Sequence, residues 1–170
     1  MAQALTTLAW GGIAYEGGYK KAGMLGYLRD AVKWGTDYFL KCHVSPNELY
    51  GQVGDGHIDH AWWGRPEDMT MERPGTFTFY WLWICYSLHL FIVPSAWKID
   101  TNNPGTDLAA ETAAALASAS ILFKDSKLTS FTDPAYAAEL LTHAEQLFDF
   151  ADKYRGKYSD SISNAGDFYK

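Results

Sequence analysis

Apolar side chains recur at three- and four-residue steps in several stretches, which is the spacing of one helix face. A short stretch runs from Leu5 to about Tyr15, a second from Leu25 to Cys42, and an alanine-rich third from Thr106 to Phe123. The apolar face of the second stretch carries Leu25, Leu28, Val32, Gly35 and Phe39. No strand-like alternation competes with these patterns, so the sequence predicts an all-α protein.

A fourth helical stretch has marked ends. Asp133 is a natural N-cap, Pro134 suits the first helical position, and Gly156 is a stop signal. Its apolar stripe consists of Ala137, Leu140, Leu141, Ala144, Leu147, Phe148 and Ala151. The four stretches therefore predict helix pairs joined by long loops.

The segment Tyr50–Gly64 has a different composition, with several glycines, two aspartates, two histidines and a tandem tryptophan. Glycine and aspartate favour turns, so we expect neither a regular helix nor a central strand here. Indole rings beside imidazole and carboxylate suit a polar ring with an apolar face, and a sugar is the obvious candidate. The alternative is a structural turn whose tryptophans fill the core.

Length and charge exclude some classes of function. The 170 residues suffice for one domain, and a formal net charge of −6 without a dense Lys/Arg cluster argues against nucleic-acid binding. Cys42 and Cys85 allow one disulfide at most and form no metal motif. The first residues lack the features of a signal peptide, which suggests a cytoplasmic protein or a chain whose true beginning is missing.

The stretch between Arg73 and Lys98 contains no charged residue. Within it, Phe77–Val93 is just long enough to cross a bilayer, which needs roughly 17–25 apolar residues. Ser87, His89 and weakly basic flanks argue against a membrane span. We therefore keep membrane attachment through residues 77–93 as an alternative only.

Six stretches together resemble glycoside hydrolase family 9, the endoglucanases that cut β-1,4-glucans. They include Leu-Ala-Trp-Gly at 8–11, Ala-Val-Lys-Trp-Gly-Thr-Asp-Tyr-Phe at 31–39, and residues 50–64, 69–74, 104–117 and 150–160. The resemblance implies an (α/α)6 barrel of six helical hairpins. Four helices would supply about two hairpins, so we expect residues 1–170 to form an incomplete barrel and a partial catalytic domain.

The resemblance also implies inverting hydrolysis by an aspartate base and a glutamate acid about 6.5–9.5 Å apart. Neither family motif is found in this chain, so we expect a fragment that is inactive alone and assign no catalytic residue. No cofactor is expected, and no metal site is claimed because the family's calcium-binding pattern would lie beyond Lys170. The parent enzyme is expected to be secreted.

Site residues follow from matching positions. His60 occupies the position of a sugar-binding histidine, and Tyr169 matches a tyrosine at the edge of the cleft. Trp62 and Trp63 are weaker candidates, because one of a tandem pair commonly faces the core. The expected partner is a β-1,4-glucan.

Three other residues of the loop are predicted to have less direct roles in ligand binding. Asp55 and Asp59 are predicted to orient the loop or bind sugar hydroxyls rather than to act as the acid–base pair, and Asp55 is kept as a binding candidate. His57 replaces a residue that is often acidic in the family, which we interpret as a tolerated change. A non-catalytic glucan-binding protein remains the alternative function.

The resemblance is interrupted at Gly75–Ser95, between Glu-Arg-Pro and Ala-Trp-Lys-Ile-Asp. Its Phe, Tyr, Trp, Leu and Ile content is typical of translated pyrimidine-rich non-coding DNA, so we interpret it as an unremoved intron or an error in the gene model. We predict that the mature transcript lacks these 21 codons. Sequencing the transcript across the junction tests this, and a mature message that contains them would support a real insertion.

Overall fold

The computed structural model describes residues 1–70, 96–124 and 132–168. The described helices are α1 (Ala2–Ala14), α2 (Glu16–Lys21), α3 (Leu25–Cys42), α4 (Gly56–His60), α5 (Thr106–Lys124), α6 (Pro134–Lys153) and α7 (Tyr158–Ser161). The strands are β1 (His43–Ser45), β2 (Glu48–Val53) and β3 (Ala96–Ile99), and 3-10 turns occupy Pro66–Asp68 and Ser163–Ala165. Residues 75–95, and with them the segment 77–93 and Cys85, lie outside the described residues, as does Tyr169.

The four predicted helices are present. Helix α3 has the predicted bounds, and Leu28, Val32, Gly35 and Phe39 of its predicted face are buried. Helix α6 begins as predicted, because Pro134 is in its first turn and the Asp133 carboxylate accepts a hydrogen bond from the amide of Tyr136. It ends at Lys153, before the stop signal expected at Gly156.

Helices α5 and α6 form an antiparallel pair. The amide of Asp133 donates to the carbonyl of Phe123 where the two helices are joined, and the amide of Thr106 donates to the carbonyl of Gly156 at the opposite end. Between these ends, the Ser120 hydroxyl donates to the carbonyl of Ala137 at 2.7 Å. Of the predicted stripe on α6, Leu141 and Phe148 remain 42% and 61% exposed, so they lie outside the packed face.

Helices α1 and α3 form a second antiparallel pair, which packs on α5. Gly12 near the end of α1 lies against Leu28 and Leu122, while Gly35 in α3 lies against Leu5 at the start of α1. Helix α5 packs against both α1 and α6. Alanine and serine therefore suit its buried positions, because small side chains let neighbouring helices approach closely: Ala109, Ala113, Ala115, Ser118, Ala119 and Ser120.

The described chain is mostly helical, as predicted, but it also contains a small three-stranded sheet that the all-α prediction did not include. Strand β2 lies between β1 and β3 in an antiparallel sheet, with Leu49 opposite Ile99 and a register shift between Tyr50 and Gln52. Leu49 and Ile99 are buried, whereas the register shift at Gly51 interrupts any simple alternation. Strands this short carry too few residues for a period of two to be visible, and β3 is distant in sequence.

None of the helices described above combines the length and the hydrophobicity that a membrane span requires. In the same part of the chain, Cys42 is buried and forms no disulfide bond.

A polar cluster connects α3 with α6. The Tyr136 hydroxyl donates to Asp37 at 2.7 Å and lies 2.7 Å from the Thr36 hydroxyl, while Lys33 contacts Asp37 at 2.7 Å. Burial opposes ionisation of Asp37, but the hydrogen bonds from Lys33 and Tyr136 outweigh it and lower the pKa of that carboxyl. Burial, together with the hydrogen bond to Asp37, raises the pKa of Tyr136. The cluster therefore joins an ionised carboxylate to a neutral phenol.

A buried imidazole lies where α3 meets β1. His43 is 3% exposed, and its Nδ1 lies 2.8 Å from Nδ1 of His143 on α6. Among the described residues, His43 Nε2 has no hydrogen-bond partner. Burial lowers the pKa of His43, and the charge of a protonated His143 lowers it further. The folded chain therefore binds a proton at His43 less readily than the unfolded chain does.

This linkage predicts that the free energy of unfolding falls as the pH drops below about 6.5, the usual imidazole pKa, and levels off below the folded-state pKa. His43→Gln should reduce the slope, which for one proton is at most about 1.4 kcal/mol per pH unit. Urea unfolding between pH 8 and 5 measures it. His57→Gln, at an exposed histidine, should retain the His43 contribution, and an unchanged slope in His43→Gln would contradict the assignment.

Candidate functional site

The segment Tyr50–Gly64 combines a strand, a short helix and a loop. Its first residues complete β2, so the expectation that it contains no central strand and no helix was wrong. The chain leaves β2 at Gly54, whose φ of 92° falls in the left-handed region that favours glycine. Helix α4 follows with Gly56–His60, and both tryptophans come after it. A glycine-rich sequence thus gives a tight exit from the sheet rather than an irregular loop.

Asp55 holds the start of α4 and connects it to a distant part of the chain. One carboxylate oxygen accepts from the amide of His57 at 2.8 Å, which is an N-cap interaction. The other accepts from the side-chain amide of Asn164 at 3.3 Å. Because both oxygens have protein partners, the geometry favours the orienting role predicted for Asp55.

His60 closes α4 with its side chain half exposed. Its Nδ1 lies 2.9 Å from the carbonyl oxygen of Gly56 and 3.6 Å from a carboxylate oxygen of Asp59. Both neighbours are acceptors, so Nδ1 carries the proton of the neutral imidazole. Nε2 is then an acceptor, and within the described residues it makes no hydrogen bond. This atom is available for a ligand hydroxyl.

The two tryptophans have different surroundings. Trp63 is 88% exposed, whereas Trp62 is partly buried and packs against Gly64. The indole Nε1 of Trp62 is buried and has no hydrogen-bond partner in the described part of the chain. Of these two residues, Trp63 therefore presents the more open indole, a surface on which a sugar ring could stack.

Sequence reasoning missed the contacts of His57. Its Nε2 lies 3.1 Å from a carboxylate oxygen of Asp167, and its ring centroid lies 5.4 Å from that of Phe168. The Phe168 ring also lies 4.6 Å from the His60 ring. A local sequence pattern does not predict contacts between residues that are more than a hundred positions apart. Tyr169, the predicted residue at the cleft edge, lies outside the described residues.

The described ranges contain no group of three or more His, Cys, Asp and Glu side chains that could hold a metal ion. The described side chains of the segment Tyr50–Gly64 carry imidazole, indole and carboxylate groups.

Comparison with known proteins adds to this geometry. The family model described as glycosyl hydrolase family 9 matches residues 1–170. Endoglucanase 19 of Arabidopsis thaliana is 52% identical over 170 residues, and endoglucanase A of Bacillus pumilus is 48% identical over 169 residues. These matches cover 100% and 99% of this chain but only 23% and 22% of the relatives.

Two solved structures are similar to this chain over nearly all of its length. The endoglucanase of the termite Nasutitermes takasagoensis, determined at pH 2.5, has a TM-score of 0.79 and 56% identity, covering 99% of this chain and 33% of that one. The cellulase Cel9M of C. cellulolyticum in complex with cellobiose has a TM-score of 0.70 and 26% identity, covering 96% and 35%. The chain thus spans about a third of the length of these solved structures.

We predict that Asp55→Ala loosens the start of α4, because it removes both the N-cap and the contact with Asn164. Loss of an N-cap costs about 1 kcal/mol, so the His57 amide should exchange its hydrogen roughly fivefold faster. Hydrogen exchange followed by NMR measures this. Asp55→Asn is the matched control, since asparagine caps equally well, and equal exchange in the alanine variant and the parent would contradict the assigned role.

Proposed function

Because the chain belongs to glycosyl hydrolase family 9, we propose that its Tyr50–Gly64 segment is part of the substrate-binding surface of a β-1,4-glucanase. The observation that carries the proposal is that the exposed indole of Trp63 follows His60, whose Nδ1 is engaged within α4, by only three positions in the chain. A glucose unit has apolar faces and a rim of hydroxyls. It can stack on Trp63 while a hydroxyl donates to His60 Nε2.

The remaining predicted residues take subordinate roles in this proposal. Asp55 holds the loop, Trp62 supports it from the partly buried side, and Tyr169 adds an edge contact. Asp55 and Asp59 are not the acid–base pair. Both oxygens of Asp55 are used within the protein, and one oxygen of Asp59 lies near a nitrogen of His60.

We propose the same assignment for the complete protein: inverting hydrolysis of cellulose or a related β-glucan, with residues 1–170 forming about two hairpins of an (α/α)6 catalytic domain. The two antiparallel helix pairs and the structural match to a termite endoglucanase support this assignment. Secretion of the complete protein is part of the proposal, and residues 75–95, which interrupt the domain in this sequence, are proposed to be an unremoved intron or an error in the gene model.

The proposal predicts that cellotetraose binds to the chain and quenches its tryptophan fluorescence. Trp63→Ala should weaken binding about tenfold by removing the stacking surface. Trp34→Ala is the matched control, because Trp34 is 73% exposed but lies on α3. Equal affinities for the parent and both variants would contradict the proposed surface. Calorimetry of the same titrations separates affinity from the loss of a fluorophore.

A further inference from the structure

Asp167 and Phe168 lie near the proposed site, but their positions in the sequence did not predict a role in ligand binding. Asp167 pairs with His57 at 3.1 Å, and Phe168 packs beside both histidines of α4. The Asp167 and His57 side chains are both more than half exposed, so their ion pair contributes little on its own. The inference therefore depends on the complete set of contacts between α4 and residues 163–168.

Phe168 lies against both ends of α4. A Cβ at position 56 would lie 2.6 Å from Cε2 of Phe168, so the ring occupies space that a larger residue would fill. The ring centroid lies 5.4 Å from that of His57 and 4.6 Å from that of His60, with the His60 and Phe168 planes tilted by 36°. One aromatic side chain thus supports the start of α4 and both of its imidazoles.

The segment that carries Phe168 is itself fixed. The amide of Phe168 donates to the carbonyl of Ala165 at 3.1 Å, and Ile162 and Ala165 are buried. Asn164 holds Asp55 from the same segment. A helix of five residues has too few internal hydrogen bonds to be stable alone, so these external contacts determine its position.

We propose that Asp167 and Phe168 are positioning residues that hold His60 in its ligand-binding orientation. Phe168 supports the face of the imidazole, and Asp167 fixes the rotation of α4 through His57. This inference rests on the proposed role of His60 in sugar binding. It also gives His57 a function, since an acidic side chain at position 57 would repel Asp167.

The test combines sugar binding with a direct probe of His60. The full chain, labelled with ¹⁵N-histidine, is compared with Phe168→Ala and Phe168→Tyr at one pH. Phe168→Ala should change the ¹⁵N shifts of the His60 ring without sugar, because a ring that loses its support no longer keeps the hydrogen bond from Nδ1 to the Gly56 carbonyl, and should weaken cellotetraose binding about three- to tenfold. Phe168→Tyr should restore both values to near those of the parent. Phe148→Ala, at an exposed phenylalanine on α6, is the matched control.

The ion pair is tested by a double-mutant cycle with His57→Gln and Asp167→Asn. We expect each single change to weaken cellotetraose binding. The fold-loss of affinity in the double variant should be smaller than the product of the fold-losses in the two single variants. Circular dichroism and thermal unfolding verify that every variant is folded. Independent effects would overturn the role of Asp167.

Failure of the two proposals gives different results. If the parent chain does not bind cellotetraose, the proposed function is wrong, while the His60 resonances still report whether Phe168 positions the ring. If the parent binds and Phe168→Ala changes neither affinity nor the His60 resonances, the positioning role is overturned.

Discussion

The first turn of α5 is the constraint on which the candidate site depends. The hydroxyl of Thr106 accepts from the amide of Gly156 at 3.0 Å, and the carboxylate of Asp107 accepts from the amide of Tyr158 at 3.0 Å. These bonds fix the chain that leads into residues 162–168. In the next position, Leu108 packs so closely on β2 that a Cβ at position 51 would lie 2.4 Å from its Cδ2. One helix end thus aligns both segments that form the site.

The position of α5 is fixed in turn by the hydrophobic packing around it. It packs against both α1 and α6, and its Leu116, Leu122 and Phe123 are fully buried. Burial of apolar surface is not directional, but close-packed helices allow few relative positions. The polar contacts at its first turn select one arrangement of the neighbouring segments. The candidate site therefore rests on a rigid base, although its own contacts are small and partly exposed.

The proposed binding surface is carried by the short helix α4. Contacts with other segments hold α4 on the rigidly packed helices around α5. The Nδ1 proton of His60 is directed to the Gly56 carbonyl within α4, which leaves Nε2 as an acceptor. Trp63 contributes area but has few restraints, being 88% exposed. A sugar that stacks on the indole would gain most if the imidazole were already oriented, because less conformational entropy is then lost on binding. In our proposal, the contacts from Asn164, Asp167 and Phe168 provide that preorganisation.

The sequence by itself determined the long helices and the family. Helix α3 shows a repeating apolar face, and the start of α6 is marked by Asp133 and Pro134, because helical hydrogen bonds and caps join residues three or four positions apart. The loop motif likewise identified His60 and the tandem tryptophans as candidates. All these signals are local.

Tertiary structure decided what depends on distant partners. Strand β2 exists because it pairs with β3, and the contact of His57 with Asp167 joins residues 110 positions apart. The sequence does not distinguish the roles of Trp62 and Trp63. In the folded chain Trp62 packs against Gly64, whereas Trp63 remains exposed. Strand pairing, burial and ion contacts across such distances depend on how the helices pack around α5. Residues that meet only after this packing form no periodic pattern in the local sequence, so the sequence does not predict their contacts.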